Sequence, residues 1–233
     1  MAPIRCYTDW NKRPSDHEEE IEPFRKYIFI CEGANTEPWY FHRLIDMRKQ
    51  LNIHPMIDIR LWERTEEEKN ISAPVRLIRF AEEKKHDKSL DFDPQHDKMV
   101  VIFDADIFEF RNPDYDRIVA DGEKANIIGV TNPSFELFLL LHLDDAYERL
   151  IRPHEEELLE NKKIGSQRYI QSFLRQECGM NPKRNEEIGG LAENVLHAIQ
   201  EEKHLNQDIH KCHGQLTSNI GAIIETIMND ELN

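Results

Sequence analysis

The sequence is short of several things, and each shortage narrows the choice of function. Cysteine is scarce: the 233 residues carry four, Cys6, Cys31, Cys178 and Cys212, far apart and with no CxxC pair. That spacing argues against a disulfide framework and against a paired-cysteine zinc module. No apolar run approaches the roughly 20 residues of a membrane span. The first residues, MAPIRCYTDWNKRPSDHEEE, lack the apolar centre of a signal peptide. The expectation is a cytoplasmic protein that does not engage a membrane. There is no GxxxxGK[ST] loop, so the chain carries no P-loop ATPase of its own, and Ser134 lacks the GxSxG context of a hydrolase elbow. Basic charge is also in deficit, with 30 Lys and Arg against 45 Asp and Glu and a formal net charge of −15. Proteins that hold nucleic acid by charge alone carry a basic excess. If this chain acts on nucleic acid, metal ions or a partner must offset the repulsion; a merely soluble acidic protein accounts for the charge equally well.

What is present is a real core. Hydrophobic residues make up 39% of the chain, including 11 Phe, enough for one large domain with an elaborated helical part. Residues 1–22 are polar and charged and read as a loosely ordered arm. Tyr27-Ile28-Phe29-Ile30-Cys31 is an aromatic and β-branched run that reads as a buried strand. It stops at Glu32-Gly33, after which Thr36 can cap a helix with Glu37-Pro38 in its first turn. Residues 53–62 alternate apolar and polar and predict a second strand. A helix over 75–85 follows, then Lys98 to Phe103 as a further apolar strand ending at Asp104-Ala105-Asp106. Residues 112–125 predict a short crossover helix or a loop plus helix, 126–130 a short core strand, Thr131-Asn132-Pro133 a turn, and 135–143 a dense apolar helix. Beyond Asp144, segments 145–162, 166–178 and 188–203 read as amphipathic helices broken at glycines, and 217–228 as one more. Strands alternating with helices and then helices alone predict a small, mostly parallel α/β sheet flanked by helices: a core over 23–144 and a helical region, 145–233, packed on it.

The chemistry gathers at strand ends. Glu32 ends the first core strand, Asp104 and Asp106 end another, and Glu136 opens a helix just after the third. In a parallel sheet the carboxyl ends lie along one edge, where open α/β sheets build their sites. If strand geometry persists through Asp106, the two aspartates point the same way and can share a hard cation. Magnesium takes one or two protein carboxylates plus waters and substrate phosphates, which suits so sparse a set. Such a metal polarises a phosphoryl oxygen and generates a nucleophilic water, with Glu32 as general base or a further ligand. Acidic residues also mark places where a strand simply leaves the core, and Glu136 can equally serve the positive end of its own helix.

Three stretches together resemble RloB-like proteins. CEGANTEPWYF is similar to that family's CEGxxTExxYF, VVIFDADIF to its strand ending in D-x-D, and TNPSFELFLLLH to its SNPxFELWLLLH segment. They occur in the family's order over residues 27–142, and TSNIGAIIETI extends the likeness to the tail. The resemblance implies a Toprim-like fold, the catalytic core of topoisomerases, primases and overcoming-lysogenisation-type nucleases. Such sites use a glutamate after the first strand and a later D-x-D with Mg2+, for which Mn2+ can substitute. By position these fall on Glu32, Asp104 and Asp106, and Glu37 and Glu136 lie within the signature as further candidates. Ala105 and Ile107 stand where the family often carries polar or charged residues. The resemblance further implies a nuclease of DNA or RNA, transfer RNA included, acting in antiphage defence beside an AAA/ABC-type ATPase, and leaves homo-oligomerisation open.

Basic residues collect late in the chain, at Arg149, Arg152, Lys162, Lys163, Arg168, Arg175, Lys183 and Arg184. They are either a phosphate-tracking face beside the acidic site or solvated helix faces with acidic neighbours such as Glu155 to Glu157. Lys183-Arg184, in a loop, is the candidate substrate-binding pair. His142, on the apolar helix, is expected to be a packed core histidine. His210 with Cys212-His213 lacks the paired-cysteine half of a zinc site. The function expected is therefore an Mg2+-dependent endonuclease. The alternative is a non-catalytic module of the same fold that docks on an ATPase or binds a nucleotide.

Overall fold

The computed structural model describes residues 23–65, 68, 71, 73–105 and 114–232. At its centre is a five-stranded sheet in the order β2 (Ile57–Leu61), β1 (Arg25–Cys31), β3 (Lys98–Asp104), β4 (Ile127–Asn132) and β7 (Thr217–Ser218). Strands β1, β2, β3 and β4 are mutually parallel. They are joined through α1 (Thr36–Asp46), α2 (Pro74–Lys84) and α3 (Asp114–Gly122). This is the mostly parallel α/β sheet that the alternating pattern predicts.

The central strands are apolar on both faces because both faces are covered, as parallel sheets require. Tyr27, Phe29, Cys31, Val100 and Ile102 point into one core with α1 and the later helices. Ile28, Ile30, Met99, Val101 and Phe103 point into the other, against α2 and α3. Burying these side chains contributes on the order of 2 kcal/mol each, so a slip of one residue in register would exchange two complete cores.

Three expectations need correction. Strand β4 runs through Thr131 and Asn132, where a turn was expected, and ends at a cis Asn132–Pro133 bond. The tail does not begin as helix: Thr217–Ser218 forms β7, antiparallel to β4, and only then does α8 (Ile220–Met228) start. Thr217 and Ser218 are too few for an alternating pattern to register. Residues 145–162 are not one helix either. A π-helical turn over Tyr147–Ile151 tightens to a 3-10 turn at Arg152–His154 and then becomes α5 (Glu155–Glu160). Pro153 has no N–H to continue a regular ladder.

After α4 (Glu136–Leu140) and α5 comes a small hairpin of β5 (Lys163–Ile164) and β6 (Gln167–Arg168). Helix α6 (Tyr169–Cys178), a 3-10 segment at Glu186–Asn194 and α7 (Val195–Glu202) complete that side. The 3-10 segment lies directly on α1. A Cβ at Gly189 would collide with the carbonyl of Trp39, so only glycine permits the approach. This packing brings the loop before it, 181–185, to the carboxyl edge of the sheet. Among the described residues, no helix is long and apolar enough to cross a membrane.

Candidate functional site

The parallel register fixes the site's frame. Cys31 lies beside Ile102 and Asp104 beside Thr131, so Glu32 and Asp104 emerge from neighbouring strands. The Glu32 backbone N–H donates to the Ile102 carbonyl at 2.9 Å. Its Oε2 in turn accepts the Asp104 backbone N–H at 3.0 Å. The Asp104 Oδ1 accepts from the Thr131 hydroxyl at 2.8 Å and from the Phe135 N–H at 2.9 Å. Arg64 donates to the Glu32 carbonyl. Two side chains separated by 72 residues are thus oriented by backbone amides at one sheet edge.

Two more carboxylates complete the cluster. Glu136, fully buried at the start of α4, accepts the Ser134 hydroxyl at 2.7 Å on Oε2, and its Oε1 lies 2.9 Å from the Lys183 ammonium. Glu37, 3% exposed, folds back over the turn after β1, where a Cβ on Gly33 would collide with its carboxylate. Its Oε2 is buried and has no hydrogen-bond partner. Thr36 does not cap α1 as expected. It is the helix's first residue, and its hydroxyl donates to the Pro182 carbonyl at 2.7 Å. Asn35 reaches the Lys183 carbonyl at 3.3 Å, so the start of α1 tethers the loop that carries Lys183.

The electrostatics follow from burial, with the Lys183 ammonium set among the acids. Burial pushes the Asp104 carboxyl well above the carboxylate range, and the fields of Glu37, Glu136 and Glu32 add to it. Burial also raises Glu37; Lys183 opposes this and Glu136 reinforces it. At Glu136 burial again favours the neutral acid, but Lys183 and the Ser134 hydroxyl outweigh it and hold the group below its ordinary value. Burial would lower Lys183, yet Glu136, Glu37 and Asp104 keep it well above its usual range. Its side chain is 39% exposed, so it bridges the buried acids and the surface.

Of the sequence candidates, Glu32, Glu37, Asp104, Glu136 and Lys183 converge on this edge. Asp106 lies outside the described residues, as does Ile107. Arg184 is exposed beside Lys183. The donors are carboxylate oxygens throughout, the hard ligands that Mg2+ or Mn2+ prefers, and the orphaned Glu37 Oε2 is a buried acceptor awaiting a positive group. In that chemical sense the residues fit such a cation. Among the described residues, no three acidic, histidine or cysteine side chains already form a metal cage, so any ion there would depend on water, substrate oxygens or residues beyond them.

Other candidates resolve differently. His142 is fully buried, with Nε2 3.0 Å from the Tyr40 hydroxyl and Nδ1 3.0 Å from the Phe138 carbonyl. Burial depresses its pKa to about 4, so it is a neutral core residue. His210 sits 3.0 Å from Glu123, and Cys212 is buried in the second core. A cleft of about 840 Å³ lies at the opposite, amino-terminal end of the sheet. Its charges are already paired, Arg48 and Arg60 with Asp58 and Lys26 with Asp97, and none of the edge carboxylates lines it.

A parallel α/β sheet with acidic residues gathered at its carboxyl edge defines the class: a doubly covered α/β protein with its candidate site at the strand ends. Residues 27–227 match the RloB-like protein family, and the chain belongs to that family. No curated protein and no solved structure matches it.

Proposed function

We propose that this RloB-like protein is a metal-dependent nuclease that hydrolyses phosphodiester bonds in DNA or RNA, transfer RNA included. One observation carries the proposal: Glu32, Glu37, Asp104 and Glu136 share one sheet edge with Lys183 as their cation. So much negative charge in a buried setting is costly unless another positive group enters. Asp104, with Asp106 beside it in sequence, would hold Mg2+ or Mn2+, and Glu32 would be a co-ligand or general base. A bound ion would supply polarisation of the phosphoryl oxygen and a water acidified toward neutrality. Glu32, its carboxylate aimed by the Asp104 N–H, would accept the proton of the attacking water. Glu136 would hold Lys183 forward, Glu37 would shape the field around the metal, and Lys183 with Arg184 would meet the substrate phosphates. The family's resemblance to nuclease partners of ATPases supports a role as an antiphage effector, cytoplasmic and restrained by an AAA/ABC-type ATPase.

A second reading has its own support. The 2.9 Å Lys183–Glu136 pair is what a structural ion pair in a non-catalytic docking module would look like. Cleavage of a DNA and structured-RNA panel, with Mg2+ or Mn2+ and with or without the co-encoded ATPase, separates the two. The nuclease reading expects metal-dependent cutting that Asp104→Ala reduces to background. No cutting in any condition, together with no metal binding by calorimetry, leaves the docking module.

A further inference from the structure

Beside the carboxylates, and continuous with them through Lys183, is a groove of about 270 Å³. Its floor and walls come from three elements that meet there. Gln171 and Arg175 stand one turn apart on the same face of α6, Ser166 and Gln167 come from the β5–β6 hairpin, and Asn181, Lys183 and Arg184 from the following loop. That loop is a built turn: Asn181 Oδ1 accepts the Lys183 N–H at 3.0 Å, and its carbonyl accepts the N–H groups of Arg184 and Asn185 at 3.1 and 2.9 Å.

The lining is unusual for this chain. Forty-five of the 233 residues are acidic, yet no carboxylate lines the groove. Elsewhere the described arginines commonly answer an acid, as Arg43 does Glu193, Arg117 does Asp114, Arg149 does Glu177 and Arg152 does Glu148. Arg175 and Arg184 are exposed, and among the described residues neither forms an ion pair. Guanidinium forks beside neutral amides and a hydroxyl make a donor-rich surface matched to phosphate oxygens. Aromatic side chains are missing from the lining, so the groove offers no platform for stacking a base. Its volume falls just below the roughly 300 Å³ at which small-molecule pockets begin. Contact with a sugar-phosphate backbone fits these features better than capture of a whole nucleotide.

We infer that this groove is a backbone subsite for a nucleic-acid strand, in which Arg175 and Arg184 hold the phosphates flanking the one delivered to the carboxylate edge. Lys183 marks the junction of the two. The inference rests on the nuclease reading for its direction but is tested by binding alone. Phosphate contacts position a strand without reading its sequence, so the subsite sets register rather than specificity.

The test is fluorescence anisotropy with a labelled DNA oligonucleotide and a labelled RNA hairpin across a salt series, comparing the full chain with Arg175→Gln/Arg184→Gln. Both side chains are exposed, and melting by circular dichroism checks that the fold is kept. The expected result is weaker binding with a log K against log salt slope shallower by about 1.4 to 1.8, from about 0.7 to 0.9 per phosphate contact, with calorimetric Mg2+ affinity unchanged. Binding of only one probe identifies the strand class. An unchanged slope, or no binding of either probe by the unsubstituted chain, overturns the subsite. Salt-sensitive binding that the double substitution weakens, with neither cleavage in any condition nor metal binding by calorimetry, keeps the subsite and discards the nuclease.

Discussion

Glu202 and Glu37 are both buried glutamates borne on helices, yet they are held in opposite ways. Glu202, at the end of α7, accepts hydrogen bonds from the Ser218 hydroxyl at 2.6 Å, the Gly221 and Ala222 amides at 2.9 and 2.8 Å, and Gln207 at 3.2 Å. The two amides belong to the first turn of α8, whose unpaired N–H groups and dipole favour an anion. Asp97, at the other end of the sheet, is held in the same manner by the Lys26 and Asp93 amides at 2.7 and 2.9 Å. Glu37 keeps one buried oxygen with no donor and sits in the field of Glu136. Where a carboxylate serves the fold, the chain surrounds it with donors. At the carboxyl edge it assembles several acids side by side and leaves the buried Glu37 Oε2 without a donor.

The contrast breaks first at Glu202. Glu202→Ala strands a hydroxyl and two helix amides in the core, and it should cost about 3 kcal/mol in urea unfolding, since hydrogen bonds to charged groups contribute about 1.5–3 kcal/mol. Glu37→Gln should do the reverse, raising stability near neutral pH by about 1 kcal/mol, because it removes a buried charge from among like charges. The sign with pH follows from linkage. Burial raises the Glu37 carboxyl in the folded state, so the native form binds its proton more tightly than the unfolded chain. Stability associated with this group is full below the ordinary carboxylate pKa and falls as pH climbs through the raised value. The advantage of Glu37→Gln should therefore vanish in acid and grow as pH rises. A substitution that destabilises at every pH would mean that Glu37 serves the fold as Glu202 does.

The comparison also locates what could be read from sequence. Glu32, Asp104 and Glu136 were legible because apolar strands announce their own ends, and parallel strands bring those ends to one edge. The role of Lys183 in the cluster was not. It depends on Thr36 holding the Pro182 carbonyl 146 residues away, and on Gly189 admitting the 3-10 segment onto α1. Neither contact leaves a periodic trace. Thr36 carried the signature of a cap while its hydroxyl was committed to tertiary structure. Glu202 escaped notice because one of two adjacent acids, Glu201 and Glu202, at the end of an amphipathic helix looks solvated until the first turn of α8 is set against it.

The central claim is that the carboxyl edge is a cation site whereas Glu202 is a structural anchor. Thermal unfolding of the full chain across an Mg2+ titration, beside Asp104→Asn, tests it most directly. Asparagine keeps an oxygen for the Thr131 and Phe135 donors while removing the charge. The account predicts stabilisation of the unsubstituted chain that grows with the logarithm of Mg2+ concentration above Kd, about 2.7 kcal/mol at a hundredfold excess, and its loss in Asp104→Asn. No stabilisation, or equal stabilisation of both proteins, would contradict it.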